Sequence, residues 1–141
     1  MINKFVREFF FLSNFYPISI LYEEITYPSI EHAYQAAKTS SLEEKKWIRN
    51  APSAGEAKRR GRQVNLKADW HNIKVPVMEA LVRQKFSNQE LKTKLLRTGD
   101  ERIIENNDWG DTFWGACDSV GENKLGKLLM KVREEIYKTL R

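Results

Sequence analysis

Residues 28–38 read Pro28-Ser29-Ile30-Glu31-His32-Ala33-Tyr34-Gln35-Ala36-Ala37-Lys38, and the reading of this stretch decides the fold. Proline breaks the preceding pattern, Ser29 is placed to cap, and residues 30–39 hold helix formers with no breaker. From here the chain turns helical. Ser41 and Glu44 form a capping box for a helix reaching about Asn50, and Ser53 and Glu56 form another for a helix ending near Gly61. Asp69 can cap a longer helix to about Phe86, with Ile73, Val77, Leu81 and Val82 as its apolar stripe. Pro76 conflicts with a continuous helix there unless it lies in the first turn. Ser87 and Glu90 make one more box, and Gly99 stops that helix. Leu125, Leu129, Val132 and Ile136 mark a last helix over about residues 123–140.

Upstream of Pro28 the pattern differs. Residues 18–22 and 25–27 are β-branched and aromatic runs around Glu23-Glu24, which reads as a small hairpin. Phe5, Phe9, Phe10, Phe11 and Phe15 crowd the start of the chain, which predicts a front segment wedged into the core. Residues 102–105 and 112–116 are short strand candidates. The sum is an α+β fold, mainly α, with many helices and a small antiparallel sheet. Strands do not alternate with helices, which argues against a doubly wound sheet. There is no internal repeat, low-complexity tract or linker, and 141 residues suit one domain over 1–141.

Composition narrows the class further. Hydrophobic residues make up 41% and charged residues 30%, an ordinary balance for a folded domain and not for a disordered one. No uncharged apolar run approaches the roughly 20 residues of a membrane span. Arg7 and Glu8 interrupt the Phe-rich start, which argues against a signal peptide. One cysteine, Cys117, cannot form an internal disulfide and fits a reducing cytoplasm. One Cys and two His cannot build a Cys/His zinc cluster. No metal or other cofactor is expected, although counting leaves a carboxylate-bound magnesium open. The net charge of +5 favours anionic partners such as nucleotides, sugar phosphates or nucleic acid.

Three polar stretches could carry chemistry. Glu31, Tyr34 or Gln35, and Lys38 share one helix face, so a carboxylate and an amine stand together for acid–base work or amine attack on a carbonyl. From the spacing alone, a solvated face with Glu31 in the dipole-favoured first turn is the preferred reading. Residues 105–115 mix Glu105, Asp108 and Asp111 with Trp109, Trp114, Gly110 and Gly115. Aromatic walls stack on rings and raise a carboxyl's pKa, but a turn with Trp in the core explains the same residues equally well. Lys58-Arg59-Arg60-Gly61-Arg62 suits phosphate. A solvated helix end is the better account of Lys58 and Arg59, while Arg62 is the better ligand candidate. Asn123 ahead of the last helix is either an anion-site amide or a plain N-cap. His32 and His71 lie in no triad pattern, and Cys117 reads as a small buried or half-buried residue.

Taken in order, these motifs resemble a known family. Leu12-Ser13-Asn14-Phe15, the stretch from Pro28 to Lys38, Ala57-Lys58-x-x-Gly61-Arg62, Asp69-Trp70-x-x-x-Lys74-x-x-x-Met78, Lys85-Phe86, Asp111-x-x-Trp114-Gly115 and Asn123-Lys124-Leu125-Gly126-x-x-Leu129-Met130 are similar to the pattern of the YbiA-like, or NADAR, family. The likeness runs from about Phe5 to Ile136, and Pro76 departs from it. It implies an α-rich single domain acting on N-glycosidic bonds of ribose-type nucleotides. Some members are N-glycosidases of early riboflavin-pathway intermediates that release ribose 5-phosphate, and others remove ADP-ribose from modified guanine.

The resemblance also raises the site assignments. It implies catalytic roles for Glu31, Lys38 and Asp111, and substrate-binding roles for Asn14, Gly61, Arg62, Trp70, Glu105, Trp114, Gly115 and Asn123. Glu31 or Asp111 would stabilise the ribosyl cation or activate water, Trp70 or Trp114 would stack on the base, and Arg62 would hold a phosphate. The implied partner is a phosphorylated ribosyl small molecule or an ADP-ribose adduct, ADP-ribosylated nucleic acid included, with no membrane. Two other classes compete. A nucleic-acid-binding module would use a broad basic face, whereas the cations here are interspersed with acids. A nucleotide sensor would keep the pocket without the acid–base residues, which are all present.

Overall fold

The structure is a computed structural model, and it describes residues 1–140. These residues fall into two compact units. One runs from Asn14 to Lys85, and the other joins residues 1–13 to residues 86–140.

The Asn14–Lys85 unit begins with a hairpin of β1 (Ile20–Tyr22) and β2 (Ile25–Tyr27), paired antiparallel with Tyr22 opposite Ile25. Its two-residue turn is Glu23-Glu24, with φ of 47° and 71°. Positive φ at both positions is the primed turn whose twist matches a hairpin, here built without glycine. Glu23 is held by Lys45 at 3.1 Å, and that bond keeps its carboxyl below the ordinary range. Four helices follow: α1 (Ile30–Ala36), α2 (Leu42–Arg49), α3 (Ala54–Gly61) and α4 (Trp70–Lys85). Ser29, Ser41 and Ser53 cap as expected, accepting from the backbone N–H groups of His32, Glu44 and Glu56. The reciprocal half of the Ser41–Glu44 box is replaced: the Ser41 N–H donates to Thr39 Oγ1, and Glu44 Oε1 accepts from the Thr39 hydroxyl. Helix α1 is shorter than 30–39 predicts. Pro76 lies inside α4, beyond its first turn, and the helix continues through it; the missing N–H removes one intrahelical bond, and packing of Val77, Met78, Leu81 and Val82 carries the helix past it.

Helix α1 packs against α2, α3, α4 and both strands, and all seven of its residues are buried. The solvated-face reading therefore fails for Glu31 and Gln35, while Lys38, past the end of the helix, is half-buried. His32 shows how polar atoms survive there. Its Nδ1 lies 2.7 Å from Ser29 Oγ and its Nε2 lies 3.1 Å from the Ala51 carbonyl. Ser29 accepts the His32 backbone N–H, so its own proton serves Nδ1, and the ring is neutral with its proton on Nε2.

In the second unit, Arg7–Leu12 forms a 3₁₀ helix, followed by α5 (Gln89–Arg97) and α6 (Lys124–Thr139). The wedge of phenylalanines is narrower than expected. Phe11 is buried and meets Phe86 edge to face, whereas Phe10 is 38% exposed. Phe15, placed in the other unit, is 37% exposed. The cap of α5 is Asn88, whose side chain accepts from Leu91 N–H, so the Ser87–Glu90 box does not form. Gly99, with φ of 64°, ends that element as expected. The strand candidates at 102–105 and 112–116 shrink to isolated bridges, Ile2 with Ile103 and Asn106 with Ala116. Loop-favouring Asn, Asp and Gly between them leave too few paired residues for a ladder.

Two measurements test this description. Both hairpin-turn residues are non-glycine in the left-handed region, so Glu24→Gly should stabilise the protein by about 0.5–1 kcal/mol in a urea titration. Burial pushes His32 below its ordinary value of 6.5, partly offset by the Ala51 bond. The unfolded chain then takes up the proton first, so stability is full above pH 6.5 and is lost as pH falls below it. The urea midpoint should drop between about pH 7 and pH 5, and His32→Gln should flatten that slope.

Candidate active site

Burial of α1 places a carboxylate in an interior of low polarity. Glu31 is 7% exposed and Gln35 is 4% exposed. They sit one turn apart, and Gln35 Nε2 donates to Glu31 Oε1 at 3.0 Å. The start of the helix is fixed by Asn14, whose carbonyl accepts the Glu31 N–H at 3.0 Å while its side-chain amide contacts Met78 Sδ at 3.6 Å. Asn14 thus stands beside Glu31, as a backbone anchor.

Lys38 follows the C-terminal end of α1, and its carbonyl accepts the Lys67 N–H at 2.7 Å. Its amine lies 5.9 Å from the centre of the Tyr34 ring. Burial pushes its pKa down. Glu31 opposes that shift, and Arg62, Lys58 and Lys74 add to it. A lysine with a depressed pKa loses its proton more readily, which suits both a proton donor and an attacking amine. Arg62, Lys58 and Lys74 lie near enough for their charge to act on Lys38, a local excess of positive charge of the kind that phosphate favours. Arg59 and Arg60 do not belong to it, because both pair with Glu56, and Arg60 also donates to the Trp47 carbonyl. Gly61 has a packing reason. A Cβ there would overlap Gln35 Oε1 and lie 2.7 Å from Gln35 Cδ. Trp70 is 3% exposed and meets Tyr34 edge to face at 5.2 Å. It backs Tyr34 and offers no open ring face for stacking.

The other predicted residues gather in the second unit around Asn107, which is buried. Its amide donates to Glu105 Oε2 at 3.0 Å and to the Asp111 carbonyl at 2.9 Å, and its oxygen accepts from Asp111 N–H at 3.1 Å. Asp111 Oδ1 in turn accepts from the backbone N–H groups of Phe113 and Trp114, at 3.1 and 2.9 Å. That carboxylate oxygen shapes the loop. Asn123 takes up φ of 49° and makes no side-chain cap. Its Oδ1 accepts from Glu105 N–H at 2.9 Å and its Nδ2 donates to the Ile103 carbonyl at 3.0 Å, so it clamps the loop to the start of α6. The Trp114 ring meets Phe113 edge to face. A cavity of about 480 Å³ opens in this unit, lined in part by Phe5, Glu105, Asn106, Asp108 and Trp109. Among the described residues, no three His, Cys, Asp or Glu side chains gather as metal ligands would.

The structure thus brings Asn14, Glu31, Lys38, Gly61, Arg62 and Trp70 into one unit, and Glu105, Asp111, Trp114, Gly115 and Asn123 into the other. The sequence reading left Gln35, Asn107, Lys58 and Lys74 out of the site. Gln35 was signalled by its place four residues after Glu31, and Asn107 by its place two residues after Glu105.

An α-rich domain with a buried Glu–Gln pair and a lysine one and two turns along defines the class. The chain belongs to the NADAR domain family, whose model matches residues 3–137. It is 42% identical to a riboflavin biosynthesis protein of Vibrio vulnificus over 130 residues, which cover 89% of this chain and 35% of that protein. The chain therefore spans about a third of that relative's length. It is 37% identical to an N-glycosidase of Nostoc punctiforme, with 91% of this chain and 86% of that protein covered. The NMR structure of the Escherichia coli protein YbiA superposes with a TM-score of 0.84 at 31% identity, covering 96% of this chain and 83% of that one.

Gly115 tests the second cluster. A Cβ there would overlap Glu105 Oε2 and lie 2.6 Å from Asn107 Nδ2, so Gly115→Ala should cost about 1–3 kcal/mol by urea unfolding. Gly55→Ala in α3, where a new Cβ would lie 3.9 Å from Ser53 Oγ, an ordinary contact, should instead be neutral or stabilising.

Proposed function

We propose that this chain hydrolyses the N-glycosidic bond of a ribosyl-type nucleotide, with ribosylamino-pyrimidine phosphates of riboflavin synthesis as the substrate class. The observation that carries this reading is the Glu31 carboxylate buried on α1 and bonded by Gln35, with the Lys38 amine, its pKa lowered by burial, seven residues on. The names borne by the Vibrio and Nostoc relatives support it.

In such a reaction the C1′–N bond breaks and its electron pair leaves with the base nitrogen, which takes a proton. The ribose passes through a state with cationic character, and the oxygen of water bonds to C1′. Glu31 supplies negative charge for that cation or accepts the proton of the attacking water. Lys38 is matched to proton donation, because its own proton is loosened by burial and by Arg62, Lys58 and Lys74. Arg62, Lys58 and Lys74 hold the 5′-phosphate. No helix among the described residues is long and apolar enough to cross a membrane, and we place the protein in the cytoplasm on the strength of its single cysteine. The reading of residues 1–141 as one domain is supported by a family model that runs from 3 to 137.

The test is a paired turnover assay at equal protein concentration. One arm offers a ribosylamino-pyrimidine phosphate and the other an ADP-ribosylated guanine oligonucleotide. Ribose 5-phosphate release in the first arm alone is the expected result, with Glu31→Gln reducing kcat at least about a hundredfold and changing ligand affinity little. Guanine restored in the second arm alone would replace the substrate. Silence in both arms from a folded protein would favour a nucleotide sensor, and full activity of Glu31→Gln would remove Glu31 from the mechanism.

A further inference from the structure

Gln35 makes one bond too few. Its Nε2 donates to Glu31 Oε1 at 3.0 Å, while its Oε1, fully buried, has no hydrogen-bond partner. A buried carbonyl oxygen without a donor is costly, so the orientation needs a reason. Rotating the amide by half a turn would set oxygen against the Glu31 carboxylate and strand the NH₂ against Gly61. The orientation seen fits a Glu31 that is ionised: it leaves one acceptor idle to keep a donor on the carboxylate. A protonated Glu31 could accept the same N–H through its carbonyl oxygen, but a hydrogen bond to an ionised carboxylate is the stronger of the two, so this donor weights Glu31 toward its ionised form. The seat of the amide is equally specific. A Cβ at Gly61 would overlap Oε1, lie 2.7 Å from Cδ and lie 2.9 Å from Cβ of Gln35. Only glycine at this point of α3 lets the Gln35 side chain lie where it does.

We infer that Gln35, seated on Gly61, is a positioning residue that holds the Glu31 carboxylate ionised and in one rotamer, which makes Glu31 the base or cation-facing carboxylate and not the acid. This inference rests on the reading of Glu31 as the reacting carboxylate. The proton balance follows from it. Water gives its oxygen to C1′ and a proton to Glu31, the electron pair of the C1′–N bond goes to the base nitrogen, and that nitrogen takes a proton from the Lys38 ammonium. Exchange with solvent then returns a proton to Lys38 and removes one from Glu31.

The experiment is an NMR titration of the full chain, following the Glu31 side-chain carboxyl carbon and the Gln35 side-chain NH₂ together. In the wild type both should shift with one midpoint. In Gln35→Met, which keeps the length and removes the donor, the Glu31 midpoint should rise by about one pH unit, and the acid limb of kcat/KM should rise with it. Gly61→Ala, which displaces the amide without removing it, should move both in the same direction by less. A purely structural Gln35 would lower the melting temperature and leave the midpoint alone. An NH₂ signal indifferent to the Glu31 midpoint in the wild type, or an unmoved midpoint in a folded Gln35→Met, overturns the inference. A shifted midpoint in a protein that turns over neither substrate upholds the positioning role and instead sinks the proposed reaction.

Discussion

The Asn14–Lys85 unit is organised around one constraint: a short helix carrying a carboxylate is surrounded on every side by protein. A buried ionisable group is tolerated only where its neighbours replace the water it lost. Around α1 they do so one atom at a time. Ser29 and the Ala51 carbonyl serve His32, Gln35 serves Glu31, and the Asn14 carbonyl serves the Glu31 N–H. The helices that enclose α1 are therefore placed by hydrogen bonds as well as by apolar packing. Ala33, Ala36 and Ala37 are fully buried, and their small side chains are what let α2, α3 and α4 close in.

The same solution recurs in the second unit with different residues. There the buried amide of Asn107 donates to Glu105, and Gly115 gives up its side chain where that carboxylate lies. Each arrangement joins a carboxylate and an amide two or four residues apart to a glycine further along the chain. The two clusters divide the predicted carboxylates by use. Glu31 and Glu105 are each held by a side-chain amide, whereas Asp111 spends an oxygen on two backbone N–H groups and so gives its loop a shape.

The parts of the fold read most readily from sequence were those set by neighbours within four residues. Ser41, Ser53 and Ser29 announce helix starts because their hydroxyls meet backbone N–H groups two or three positions on. The hairpin was legible for the same reason. At α5 the Ser87–Glu90 pattern pointed one residue too early, and Asn88 is the cap. Ile30, Ala33, Tyr34 and Ala37 give α1 one apolar face in the sequence, but the burial of its polar residues Glu31, His32 and Gln35 was not legible, because enclosure on that side comes from distant segments. The order of motifs carried Glu31, Lys38 and Arg62. The spacing of Gln35 from Glu31 and of Asn107 from Glu105 made these pairings possible, and the folded chain shows that they form, each at 3.0 Å.

Helix α1 has seven residues, fewer than an isolated helix needs to persist in water. Its backbone is helical because α2, α3, α4 and the hairpin hold it so. Opening any one of those contacts exposes both a weak helix and an acid that regains its hydration. Partial opening is thus disfavoured, and the amides of α1 belong to the slowest class for solvent exchange, released with the unit as a whole. The residues bearing the chemistry then share the fate of the core. A change that loosens α1 should therefore act on the stability of the unit and on Glu31 together.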